Sequence, residues 1–216
     1  MLLLALDTAT PSVTAAVHDG VGVRAHDGVV DPRRHGEHLA PVVAQVLSAA
    51  GATPRDLTRI VVGVGPGPYT GLRVGIVTAL TMGAALDLPV TGVCSLDAFV
   101  LAGRAAAAAR PFAVVTDARR REVYWARYDG AGRRVEGPSV DRPADVAAPL
   151  ADEGVPVIGP GTALYAFENV LPSGPLSAAD LATLVVDGAV EELPVRPLYL
   201  RRPDATPPGP PKAVLA

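Results

Sequence analysis

Residues 63–73 read GVGPGPYTGLR, a glycine-rich run of the kind whose backbone N–H groups hold phosphate where a strand gives way to a helix. The details argue against that chemistry. A Walker loop needs lysine after its closing glycine, and Leu72 follows Gly71; a dinucleotide fingerprint counted from Gly63 needs glycine where Pro68 stands. Pro66 and Pro68 have no N–H to offer an anion. The other reading is a plain strand-to-helix turn.

His35 and His38 stand three apart at a helix start, where two imidazoles could present to a metal, but helical zinc motifs space their histidines by four. No third ligand is defined, and solvated histidines are the alternative. The single Cys94 excludes an internal disulfide and any multi-cysteine zinc or redox motif, and it reads as a buried thiol. No GxSxG elbow occurs. Asp7 and Asp117 fall at strand ends, where an ATP-using enzyme places carboxylates, although a strand-end aspartate also closes turns by accepting backbone N–H groups. Arg119, Arg120, Arg121, Arg133 and Arg134, with Tyr124, Trp125 and Tyr128 near them, could hold RNA, and a half-buried sheet explains the same aromatics. Of 19 basic residues only Lys212 is lysine, which excludes P-loop, Schiff-base and Ser-Lys chemistry from the body of the chain.

The elements that position these groups repeat. Residues 2–6, 13–18 and 21–25 read as a three-strand meander, and residues 112–116, 122–128 and 133–135 read as a second. An offset of 110 maps Asp7 onto Asp117 and the Asp19-Gly20 turn onto Asp129-Gly130. After the first meander come a helix over 37–50, a turn opened by Thr53-Pro54, a strand over 59–64, a helix from 70 or 71 to 86, a strand over 89–94, and a helix capped by Ser95 through the alanine run to 109. The second half shows a strand over 155–158, Gly159-Pro160-Gly161, and a helix over 177–186, a shorter echo. The expectation is an α/β protein of two tandem mixed-sheet lobes, 1–107 and 108–202, with a proline-rich tail over 203–216.

Gly71, Gly75, Ala79 and Gly83 recur every four residues and leave one helix face nearly without side chains. Glycine inside a helix costs about 0.5–1 kcal/mol relative to alanine, so three of them imply a compensating close approach. The neighbour is either this chain's first helix or another subunit.

Hydrophobic residues make up 49% and charged residues 19%, too apolar for a disordered chain. The net charge of −3 gives no overall signature of a nucleic-acid surface. The N-terminal run meets Asp7 too early for a signal peptide, and the apolar stretch over 76–86 is too short to span a membrane, so the cytosol is the expected compartment.

LALDTATPSVTAAV, RRHGEHLAP, GVGPGPYTGLRVGI, DARRREVYWARY and PLYLRRPDA, in this order and spacing, resemble the TsaB (YeaZ) family across nearly the whole chain. The resemblance implies a duplicated actin/sugar-kinase/Hsp70-like (ASKHA) fold. It also implies a non-catalytic subunit of the complex that threonylcarbamoylates adenosine 37 of tRNAs reading ANN codons, in which the paralogue TsaD is the catalyst. The partners implied are TsaD in a heterodimer through a helical bundle, the ATPase TsaE through the complex, a second copy of the chain when alone, and tRNA indirectly. Carried onto this sequence, the partner interface comprises Leu39, Val43, Gly71, Leu72, Gly75, Ala79 and Gly83, with no catalytic, cofactor-binding or metal residue. The paralogue's His-x-x-x-His pair is replaced here by His35-x-x-His38. An ATP-dependent phosphotransferase or a metallopeptidase of the same superfamily is the alternative.

Overall fold

The structure, a computed structural model, describes residues 1–201; the proline-rich tail expected over 203–216, with Lys212, lies outside the described residues. Leu3–Asp7 (β1), Ser12–His18 (β2) and Val23–Val30 (β3) form an antiparallel meander. Adjacent strand residues point to opposite faces, and Leu3 to Leu6 of β1 are apolar on both, which suits its buried place at the sheet's centre. Arg59–Gly63 (β4) runs parallel to β1, and Val90–Val93 (β5) runs parallel to β4, giving the order β3-β2-β1-β4-β5.

Phe112–Asp117 (β6), Val123–Tyr128 (β7), Arg134–Asp141 (β8) and Val157–Ile158 (β9) form a second sheet of order β8-β7-β6-β9, with β9 parallel to β6. It repeats the first sheet without the outer parallel strand, so the 110-residue offset is structural and the shortening falls at that edge. The architecture is a duplicated α/β fold of two mixed sheets, as the repeat implies.

His35–Ala49 (α1) and Tyr69–Leu86 (α2) cover one face of the first sheet, setting Leu39, Val43, Leu72 and Ile76 against Leu4, Leu6, Ile60 and Val62. The other face presents Leu3, Ala5, Val61 and Val93 to Ala178–Val186 (α5) and to Phe112, Val114 and Tyr128 of the second sheet. One core therefore runs through both sheets. Pro143–Asp152 (α4) covers the second sheet's outer face through Val146 and Leu150. As the period of two requires, Ala126 and Tyr128 face the shared core and Trp125 the opposite side, where its indole N–H donates to Asp141 at 2.8 Å.

Four features differ from expectation. Ser95 caps no long helix: Ser95–Phe99 is a 3-10 turn leading into Val100–Ala106 (α3), and Ala108 and Ala109 end that helix in left-handed conformation. The Ser95 hydroxyl is engaged by Asp7 and Gly65 instead. α1 starts at His35, which puts Pro41 in its second turn and removes the N–H that would meet the Glu37 carbonyl; both residues are exposed, so water can replace that donor. α4 has no counterpart in the sequence reading, because Pro143 and Pro149 break its apparent period. Finally, α2 starts at Tyr69 and has 18 residues, long and apolar enough by composition to cross a membrane; here its Leu72, Ile76 and Ala79 pack on the sheet.

Candidate functional site

Where the two sheets face each other, the ends of β1 and β6 open onto a cleft of about 630 Å³. Thr10, Arg33 and Thr70 line it from the first half, and Thr116, Asp117 and Arg119 line it from the second. Of the groups singled out by sequence, His35, Asp117 and Arg119 line this cleft, while Arg133 and Arg134 line a separate pocket with Asp97, and most are already committed to internal contacts.

Asp7 is fully buried at the end of β1, accepting the Ala9 N–H at 2.6 Å on Oδ1 and the Ser95 hydroxyl at 2.5 Å on Oδ2. Burial pushes its pKa up to about 6, against the smaller opposing effect of those hydrogen bonds. Ser95 in turn accepts the Gly65 N–H at 3.1 Å, so the carboxylate anchors the glycine-proline loop and does not face the cleft. A Cβ at Gly63 would lie 1.6 Å from Asp7 Oδ2, and one at Gly67 would lie 2.3 Å from the Ala9 carbonyl. The glycines thus serve close packing of the loop onto β1, which favours the strand-to-helix turn over a phosphate cradle. Asp117, the repeat equivalent of Asp7, accepts the Arg119 N–H at 2.8 Å and lies 3.7 Å from the Arg119 side chain. Both aspartates close turns.

His35 Nε2 pairs with the Thr10 carbonyl at 2.8 Å and His38 Nε2 with Asp31 at 3.2 Å, so the rings do not converge. Among the described residues no three His, Cys, Asp or Glu side chains are grouped to hold a metal. Cys94 is fully buried, and that burial pushes its thiol pKa far up, as in a core residue.

The stripe on α2 faces inward. The Thr8 hydroxyl donates to the Gly71 carbonyl at 2.7 Å and accepts the Gly75 N–H at 3.0 Å, inserting between two groups that close one helical turn. A Cβ at Gly75 would meet Thr8 Oγ1 at 2.6 Å, one at Gly71 would meet the Thr8 carbonyl at 2.6 Å, and one at Gly83 would meet Val90 at 2.3 Å. Leu39, Val43, Leu72 and Ala79 are buried in the same core. The seven residues expected at a partner interface therefore do not reach the surface of this chain. The clearance that the glycines provide is taken up by β1 and β5, and these residues fix where α2 lies.

A sequence model described as "TsaD: tRNA N6-adenosine threonylcarbamoyltransferase" matches residues 23–193. An uncharacterized protein of Mycobacterium tuberculosis (strain ATCC 25618 / H37Rv) is 48% identical over 214 residues, covering 95% of this chain and 94% of that protein. The Escherichia coli (strain K12) tRNA threonylcarbamoyladenosine biosynthesis protein TsaB is 37% identical over 129 residues, covering 59% of this chain and 55% of that protein. The solved structure of YeaZ from Pseudomonas aeruginosa superposes with a TM-score of 0.72 at 30% identity, covering 92% of this chain and 99% of that one. This chain belongs to the TsaB/YeaZ family.

In this TsaB-family chain α2 leaves open Tyr69, Arg73, Val77 and Leu80, together with Thr70, Thr81, Ala84 and Ala85, with Val77 58% and Leu80 44% exposed. α1, in contact with α2, exposes the small residues Ala40, Ala44 and Ser48 at intervals of four, together with Glu37, Pro41 and Gln45. At the start of α2, Tyr69 stacks on Tyr199 with ring centroids 5.3 Å apart; the Arg73 guanidinium lies 3.9 Å from the Tyr69 ring and donates to the Tyr199 hydroxyl at 3.1 Å. Sequence reasoning missed this outward face. The Tyr69, Arg73, Val77 spacing of four was its signal, but the glycine stripe has the same spacing and drew the reading to the opposite side.

Proposed function

We propose that this chain is a non-catalytic, cytoplasmic scaffold subunit in tRNA threonylcarbamoyladenosine formation, binding and activating TsaD. The observation that carries the reading is the contrast on α2 and β1: each candidate catalytic group is spent on an internal contact, while Val77 and Leu80 stand in water on a long helix beside the smooth face of α1. Exposed apolar side chains in such a row suit a helix from another subunit. The name of the Escherichia coli relative supports the pathway. On this reading TsaD docks on the α1–α2 surface, a second copy of the chain takes that surface in its absence, TsaE joins through the complex, and adenosine 37 of tRNAs reading ANN codons is modified on TsaD.

The test is light scattering after gel filtration of the chain mixed with TsaD. A one-to-one complex is expected, and Val77→Asp, which adds a charge to the open face without touching the core, is expected to weaken it at least about tenfold, as the burial of an unpaired charge predicts. Failure of the unaltered chain to bind TsaD would overturn the reading. The phosphotransferase and metallopeptidase alternatives require nucleotide or metal binding by the isolated chain, which calorimetry would detect.

A further inference from the structure

The turn between β6 and β7 is built from three consecutive arginines in left-handed conformation, Arg119, Arg120 and Arg121, with φ of 61°, 53° and 61°. Left-handed backbone is costly for residues with a Cβ and nearly free for glycine. The backbone of the turn is closed by its own hydrogen bonds: Ala118 N–H donates to the Glu122 carbonyl, Glu122 N–H donates to the Arg119 carbonyl, and Arg119 N–H donates to the Asp117 carboxylate, beside which the Arg119 side chain lies at 3.7 Å. Glycine would serve the backbone better, so the arginines answer to something outside it.

Their surroundings say what that is. All three are exposed. Arg119 lines the cleft opposite Arg33, and Arg201 pairs with Glu122 at the foot of the turn. Two rim carboxylates, Asp117 and Glu122, each face an arginine, and no carboxylate pairs with Arg33 or Arg121 among the described residues. A chain of net charge −3 thus concentrates guanidinium groups at one edge of one cleft. Beside them lies Leu164, 60% exposed, and half-buried Tyr165, whose hydroxyl donates to Asp117 at 3.4 Å.

We infer that the Arg119–Arg121 turn, with Arg33 across the cleft mouth, contacts the phosphate backbone of RNA directly, with Tyr165 beside it as a surface on which a base can stack. Guanidinium groups pair with phosphate oxygens in bidentate geometry, and an aromatic ring among arginines is the composition that holds unpaired bases. The inference rests on the proposed function, since that reading supplies tRNA as the RNA, and it replaces an indirect tRNA contact with a direct one.

The experiment is a fluorescence-anisotropy titration of labelled, unmodified tRNA reading an ANN codon, with the chain alone and with the chain mixed with TsaD, over a range of salt. R119Q/R120Q/R121Q is expected to bind at least about tenfold more weakly near 100 mM salt and to reduce the slope of log affinity against log salt by about 2–3, one released counterion per lost phosphate contact. Light scattering with TsaD is expected to stay unchanged. Unaltered affinity and slope in a folded, TsaD-competent variant would overturn the inference and leave the scaffold reading standing. Failure of the unaltered chain to bind TsaD would sink the scaffold reading, while the titration of the chain alone would still report on RNA. Equal displacement of tRNA by poly-glutamate at matched charge would overturn the choice of RNA in favour of an acidic peptide. If the triple variant fails to fold by circular dichroism, Arg33→Gln on the opposite rim carries the same expectation with a slope change of about 1.

Discussion

Asp7 shows how burial alone changes what a carboxylate does. Its pKa rises from 3.8 to about 6 because ionised Asp7 has lost its water, and two hydrogen bonds offset only part of that loss. A carboxylate whose folded pKa lies above the unfolded one favours the folded state when protonated, so its contribution is full below about pH 4 and lost as pH rises through 6. At about 1.4 kcal/mol per pH unit the change is roughly 3 kcal/mol. Asp19 and Asp31, held low by hydrogen bonds, act in the opposite sense, so the informative quantity is a difference. Urea denaturation of the unaltered chain and of Asp7→Asn is expected to show the variant gaining on the parent by roughly 2–2.5 kcal/mol between pH 4 and pH 7. Equal slopes would remove Asp7 as the cause. The turn role of Asp7 and Asp117 was one of two readings legible in sequence, since it depends on neighbours two residues away; that Ser95 would close over Asp7 was not legible, because 88 residues separate them.

At the scale of elements, the joint between α2 and the end of β1 has a testable sign reversal. Gly75→Ala in the parent chain drives a methyl to within 2.6 Å of Thr8 Oγ1, and a destabilisation of about 1–3 kcal/mol is expected from overpacking. Thr8→Ala removes the hydroxyl and its bonds to Gly71 and Gly75, at a cost of about 1–2 kcal/mol. In that background the next side chain facing a new methyl is Leu6 at an ordinary 3.4 Å, so Gly75→Ala is expected to stabilise by up to about 1 kcal/mol, the helix preference for alanine. Thermal melts of the four proteins in this cycle measure the coupling. If Gly75→Ala had the same effect in both backgrounds, Thr8 would not be the reason for the glycine. The spacing of the stripe was legible in sequence and its neighbour was not: a period of four says that something approaches closely, and whether that is a strand or another subunit depends on which face of α2 meets the sheet.

Across the whole molecule, the two sheets share one core, with α5 from the second half lying on β1 and β2 of the first. Polar groups join the halves too: the Tyr128 hydroxyl donates to buried Asp97 at 2.7 Å, and Arg134 lies 3.9 Å from the same carboxylate. A core common to both halves leaves neither able to bury its own apolar surface alone, so a single cooperative transition is expected by calorimetry, with equal van't Hoff and calorimetric enthalpies. Tyr128→Phe leaves an Asp97 oxygen without its donor and is expected to lower stability by about 1–3 kcal/mol while keeping one transition. Two resolved transitions would show that the halves fold separately.

The sequence by itself determined the duplicated meander, the strand-end aspartates, the turns that close them and the family, because each is written in local patterns: alternation over a strand, Asp-Gly at a turn, a run of glycine and proline, and one offset repeated twice. Only the tertiary structure decided which side of each element is used. The glycines of α2 turn toward Thr8 and Val90 while Val77 and Leu80 turn outward, Ser95 leaves helix capping to hold Asp7, and Arg33 comes to stand across a cleft from Arg119. Periodicity specifies that a helix has two faces; burial against partners distant in sequence selects the one that packs inside, and the remaining face stays exposed.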